Sequence, residues 1–102
     1  MYFLVTIQTQ LPADLGDEAR AELLAAEAAA GSRLRRAGVI EHIWRLPGRL
    51  ANVGIWSVQS AEELDAALAD LPLHRWQVVR VEVLAEHPLS RLSVGEQSTP
   101  GR

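Results

Sequence analysis

Glu27 falls inside the apolar stripe of an alanine- and leucine-rich segment, where a charge is out of place. At about 100° per residue, residues 17–37 set Ala19, Leu23, Ala26, Ala30, Leu34 and Ala37 on one helix face, and Glu27 lies between Leu23 and Leu34 on it. Glu18, Glu22, Ala29 and Arg36 take the opposite side. Burial against apolar side chains disfavours the charged form of a carboxylate, and this is one way proteins fit such a group for moving protons. A side chain that bends to the rim and reaches water accounts for the same pattern without chemistry.

The densest run of polar groups is Glu41-His42-Ile43-Trp44-Arg45-Leu46-Pro47-Gly48-Arg49-Leu50-Ala51-Asn52-Val53-Gly54. Strand alternation groups Glu41, Ile43 and Arg45 on one face and His42 with Trp44 on the other. Arg45 can hold an anionic substrate through paired hydrogen bonds. A salt bridge from Arg45 to Glu27 is the structural alternative.

Other chemistries find little support. His42, His74 and His87 have no HExxH-like spacing, so the sequence specifies no metal site. There is no GxSxG nucleophile elbow, no GxGxxG and no P-loop, so neither serine hydrolysis nor nucleotide binding is indicated. With no cysteine and no lysine, thiolate and Schiff-base mechanisms are excluded. Trp44, Trp56 and Trp76 can stack on a planar ligand, although packing is the commoner role of such side chains.

The elements that must position these groups follow from periodicity. Residues 2–10 alternate as a strand, with Phe3, Val5 and Ile7 on one face. Leu11-Pro12 breaks that strand, and a helix over 17–37 ends at Gly38. Residues 39–46 and 50–58 read as strands joined by a Pro47-Gly48 turn, hence a hairpin. Ser60 and Glu63 form a capping-box pattern that opens a second helix over 61–70. A last strand over 75–84 follows Leu71-Pro72-Leu73.

The order β-α-β-β-α-β predicts an α+β, ferredoxin-like sandwich: a four-stranded antiparallel sheet with two helices on one face. Leu4, Trp44, Leu50, Trp56, Trp76 and Val78 are the residues expected on the uncovered face. So much apolar surface calls for a second subunit. Residues 1–90 form the domain, and residues 91–102, rich in Ser, Gly and Pro, are expected to be a flexible tail.

One domain of 102 residues with 48% hydrophobic residues folds around a single core without metal or disulfide. A net charge of −3 with scattered arginines argues against nucleic acid. No apolar run approaches membrane-spanning length, and no basic start precedes an apolar signal core, so a cytoplasmic location is expected.

Taken in order, several short motifs resemble the muconolactone delta-isomerase family. They are Met1-x-Phe3 with Leu11-Pro12, His42-x-Trp44-Arg45, Gly48-x-x-Ala51-Asn52, Leu71-Pro72-Leu73, and His87-Pro88-x-Ser90. The resemblance covers residues 1–90 nearly without gaps. It implies a cofactor-free isomerase of the dimeric α+β barrel type, with dimers that assemble into larger rings, decamers in the type enzymes. It also implies that Glu27 is the proton shuttle in a double-bond shift, in the catabolism of aromatic compounds. Arg45, His42, Trp44, Asn52 and His87 are the expected substrate-binding groups, with His87 reaching a neighbouring subunit's pocket.

The chain departs from the family pattern at Leu24, where family members carry a lysine, and at Leu4 and Thr6, where they carry basic residues. His74-Arg75-Trp76-Gln77 stands where they have an aromatic stretch. These changes remove part of the cationic surround and point to a less charged or larger lactone or enone. Another small-molecule enzyme on the same scaffold (a cyclase, dehalogenase or cofactor-free monooxygenase) and a non-catalytic ligand-binding or assembly module are the alternative expectations.

Overall fold

In the computed structural model, which describes residues 1–91, the elements follow in the order β1 (Tyr2–Thr9), α1 (Asp17–Arg36), β2 (Ile40–Arg45), β3 (Ala51–Ser57), α2 (Ala61–Ala69) and β4 (Gln77–Leu84). Short 3-10 turns cover His74–Trp76 and Pro88–Arg91. The four strands form one antiparallel sheet in the order β2-β3-β1-β4. This is the expected ferredoxin-like arrangement, with α1 and α2 on one face. Of the expected tail 91–102, all but Arg91 lies outside the described residues.

The helix ends are specified locally. α1 terminates at Gly38, whose φ of 79° is the left-handed conformation that glycine adopts without steric penalty. Gly38 N–H bonds to Arg35 O at 3.1 Å and Val39 N–H to Leu34 O at 3.0 Å, the paired bonds of a Schellman stop. Arg35 continues the join: its Nη1 donates to the carbonyls of Ile40 and Glu41, pinning the end of α1 to the start of β2. At the N-terminus of α2, Ser60 Oγ accepts from Glu63 N–H at 3.1 Å. Glu63 reaches back to the N–H of Gln59 at 3.0 Å, one residue before the usual partner of a capping box.

Phe3, Val5 and Ile7 point from β1 into the layer between sheet and helices, where they meet Ala30, Ile40, Trp56, Val58, Leu64, Leu68 and Leu71. Each large side chain buried here stabilises the fold by roughly 1.5–3 kcal/mol. Register decides which strand residues join them. Phe3 pairs with Trp56, Val5 with Gly54 and Ile7 with Asn52, so the even-numbered residues of β3 share the helix-covered face. A bulge between Ile40 and His42 rephases β2, which puts Ile43 and Arg45 on that face and His42 and Trp44 on the other.

Two tryptophans therefore depart from expectation. Trp56 is not on the uncovered face; it is 1% exposed in the core, because β3 aligns it with Phe3. Trp76 lies on neither sheet face. The chain from Leu71 to Trp76 winds tightly, with His74 N–H bonded to Leu71 O and Trp76 N–H to Leu73 O, so β4 begins only at Gln77. Leu50 sits in the β2–β3 turn rather than on a strand. Leu4, Trp44 and Val78 do lie on the uncovered face, with Tyr2 and Leu84.

Helix α1 is turned slightly from its expected setting. Its inward residues are Leu23, Leu24, Glu27, Ala30, Gly31 and Leu34, whereas Ala19, Ala26 and Ala37 are exposed. The alanines exert little pull toward the core, and the leucines set the rotation. Glu27 keeps its inward position.

Candidate functional site

Glu27 is half-buried, and both carboxylate oxygens are engaged. Oε1 accepts from the backbone N–H of Leu73 at 3.0 Å, and Oε2 from the Gln77 side-chain amide at 2.8 Å. The tight turn at 71–76 explains the first bond. Its carbonyls are taken by later N–H groups, and the Leu73 N–H faces the helix, where only a side chain can satisfy it. Gln77 sits where the turn opens into β4 on the helix-covered face, and its Nε2 also donates to Thr9 Oγ1 at 3.3 Å. A carboxylate offers about four acceptor positions. Two donors fix the head group and leave the remaining lone pairs for a proton.

Beside Glu27 a cleft of about 200 Å³ opens between α1 and the sheet, lined by Ile7, Glu27, Ala28, Gly31, Ile40, Ile43, Asn52, Trp56 and Leu71. Glu27 is the single charged side chain in that lining. The walls are otherwise apolar except for Asn52 and the indole of Trp56. A second hollow, of about 430 Å³, shares Ala28, Gly31, Ile40 and Ile43 with the first and runs on to Ser32, Arg35 and Arg36. The small residues on this side of α1 leave the space, and the isoleucines of β2 floor it.

Three buried polar atoms here have no hydrogen-bond partner: Asn52 Oδ1, Trp56 Nε1 and Gln77 Oε1. Two belong to lining residues and the third to the amide that holds Glu27. A buried polar group normally finds a partner, and leaving one without costs about 1–3 kcal/mol. All three thus belong to residues of the cleft or to the side chain bonded to its carboxylate.

Of the residues singled out from sequence, Glu27 and Asn52 come together in this cleft. Arg45 lies directly opposite Asn52 in the β2–β3 pairing, on the same sheet face, but exposed and outside the lining. Among the described residues the hydrogen-bond partners of Glu27 are Leu73 and Gln77, not Arg45. His42 and Trp44 stack on each other, with ring centroids 5.8 Å apart and planes 20° from parallel, on the uncovered face.

His87 borders another hollow with Tyr2, Ile55 and Leu84, and its Nδ1 accepts from Leu89 N–H at 3.0 Å. Within one protomer the sheet thus separates His42 and Trp44 from Glu27. Sequence reasoning missed Trp56 and Gln77 as neighbours of the carboxylate. For Trp56 the signal was present, since it shares the parity of Asn52 along β3. For Gln77, 50 residues from its partner, no local pattern pointed to the contact.

Among the described residues no group of three or more His, Cys, Asp or Glu side chains is placed to hold a metal ion, and no helix is long and apolar enough to cross a membrane. Residues 1–90 match the family model for muconolactone delta-isomerase. The chain is 37% identical over 90 residues to muconolactone delta-isomerase 2 of Acinetobacter lwoffii, an alignment that covers 88% of this chain and 94% of the relative. Its identity to the Pseudomonas putida muconolactone delta-isomerase is 34% over the same shares. A crystal structure of muconolactone isomerase superposes with a TM-score of 0.83 at 35% identity, covering 91% of this chain and 97% of the other. A 5-chloro-2-hydroxyhydroquinone dehydrochlorinase from Burkholderia phenoliruptrix, at 18% identity and a TM-score of 0.66, shares the fold.

Proposed function

The chain belongs to the muconolactone delta-isomerase family, and from that premise we propose that Glu27 is the acid/base of a cofactor-free isomerase that shifts a carbon–carbon double bond in a small unsaturated lactone. The observation that carries this reading is the carboxylate itself: one charged group, fixed by two donors, in an otherwise apolar cleft with unpartnered polar atoms around it.

The reaction needs little else. Glu27 takes a proton from a ring carbon, and the C–H electron pair moves into the conjugated system as a dienolate. The same carboxyl group then returns the proton to a different carbon. Atoms and electrons balance without a co-reactant. A single positioned carboxylate of this kind contributes about 10²- to 10⁴-fold through proton transfer.

The reading is tested by following turnover of muconolactone by Glu27→Gln. Glutamine keeps the shape and can still accept from Leu73, but it cannot take the proton. Activity should fall by about 10³-fold or more, with fold and assembly retained. Undiminished turnover would remove Glu27 from the chemistry.

The lining of the cleft favours a further refinement. It contains no cation, so the reacting end of the substrate is uncharged there, as in a neutral lactone or enone. A carboxylate elsewhere on the substrate would be met by Arg45, one strand outward from Asn52.

We assign a second copy of the chain to the uncovered face. Tyr2, Trp44 and Val78 are each at least half exposed there, and Arg80 and Glu82 on β4 supply opposite charges that an antiparallel copy can pair. Residues His42, Trp44 and His87 then act at that interface, with His87 completing a neighbour's pocket. Assembly beyond the dimer and a cytoplasmic location complete the proposal.

A further inference from the structure

We propose that Trp56 supplies, through its indole Nε1–H, the hydrogen bond that holds the substrate carbonyl oxygen and stabilises the enolate formed when Glu27 removes a proton. The inference rests on the reading of Glu27 as the base and adds the group that receives the displaced charge.

Trp56 is 1% exposed, and its Nε1 has no partner although it is buried. An indole N–H has one role, donation, and a core tryptophan whose N–H is idle ordinarily costs stability. Phenylalanine would pack on Phe3 without that cost. The donor is instead carried by a residue that lines the same cleft as Glu27. Asn52, Gly54 and Trp56 follow one another along the helix-covered face of β3, and the missing side chain at Gly54 leaves room beside the buried indole nitrogen. A Cβ at position 54 would stand 3.5 Å from Nε1, and it would be 2.7 Å from the carbonyl oxygen of His42.

The chemistry asks for such a donor. As the proton leaves carbon, negative charge collects on the carbonyl oxygen, and a preorganised N–H away from water stabilises it more than it stabilises the neutral carbonyl. The cleft has no arginine or histidine in its lining to do this. A neutral donor also suits a substrate whose reacting end is neutral. The bond strengthens in the transition state, so its loss falls on kcat more than on KM.

Two measurements test the assignment. The first is the ¹H–¹⁵N spectrum of the intact wild-type protein, with the Trp56 indole resonance identified by its absence in Trp56→Phe. Titration with 2(5H)-furanone, an uncharged unsaturated lactone, should move that N–H resonance downfield while those of Trp44 and Trp76 stay in place. An indole resonance unmoved at millimolar furanone overturns the proposal. The second is turnover of muconolactone by Trp56→Phe, expected to show kcat lowered about 10²-fold with KM changed by less than about threefold. Full kcat in that variant also overturns it. The two readings separate cleanly: inactive Glu27→Gln beside fully active Trp56→Phe would leave the base in place and remove the donor, whereas active Glu27→Gln would remove the base.

Discussion

Glu27 on α1 and Gln77 at the start of β4 are joined by a 2.8 Å hydrogen bond between side chains 50 residues apart in sequence. With the Leu73 N–H on the other oxygen, this bond fixes the carboxylate in both rotation and reach. Gln77 is thus a positioning residue. Gln77→Leu removes the donor while keeping volume, and we expect kcat to drop about tenfold, since a carboxylate held by one donor samples more orientations. Steady-state kinetics on muconolactone check this; an unchanged kcat would show that Leu73 suffices.

Gly54 carries a stability prediction. A methyl group there meets the backbone oxygen of His42 at 2.7 Å, and neither atom can swing aside because both belong to paired strands. Gly54→Ala should lower unfolding free energy by about 1–3 kcal/mol, read from urea denaturation midpoints. An unchanged midpoint would mean that β2 and β3 separate more easily than their register implies.

Ser60 makes a smaller and cleaner case. Its hydroxyl caps α2 by accepting from Glu63 N–H, far from the cleft. Ser60→Ala should cost about 1 kcal/mol and leave kcat/KM as it is. Loss of activity at full stability would contradict this account of α2 as scaffold.

The proposed role of Arg45 is to read the charge of the substrate. Exposed at the strand position opposite Asn52, it is placed to meet a carboxylate at the rim of the cleft and not the reacting ring inside. Arg45→Ala should raise KM for muconolactone several-fold while leaving the affinity for 2(5H)-furanone unaltered. Equal effects on both ligands would show that Arg45 shapes the cleft and does not read charge.

The uncovered sheet face predicts its own phenotype. Val78 lies on that face, far more exposed than a valine in a core. Val78→Glu places a charge in the apolar surface assigned to a second copy, and should shift the protein toward monomer in sedimentation velocity runs. An assembly that persists unchanged would place the interface elsewhere.

Much of this molecule was legible beforehand, for identifiable reasons. Helix and strand periods, Gly38 as a stop, Pro47-Gly48 as a turn and Ser60 with Glu63 as a cap all depend on neighbours within a few residues. Glu27 stood out because its misfit was local as well. Trp56 was misplaced because its face depends on register with Phe3, a contact across 53 residues that alternation within β3 alone does not set. Trp76 was misplaced because the turn after Pro72 takes up Arg75 and Trp76, which read equally well as the start of the strand. The bond from Gln77 to Glu27 had no local trace at all.

The groups that hold Glu27 and the polar groups of the cleft lining come from different parts of the chain. Glu27 is held by the 71–77 segment, whereas Asn52, Gly54 and Trp56 are all carried by one short strand. Substitutions along β3 can therefore alter the lining of the cleft without touching the two bonds that hold Glu27. In effect the scaffold is modular: one strand carries the unpartnered polar atoms of the cleft lining, and the 71–77 segment holds the carboxylate still.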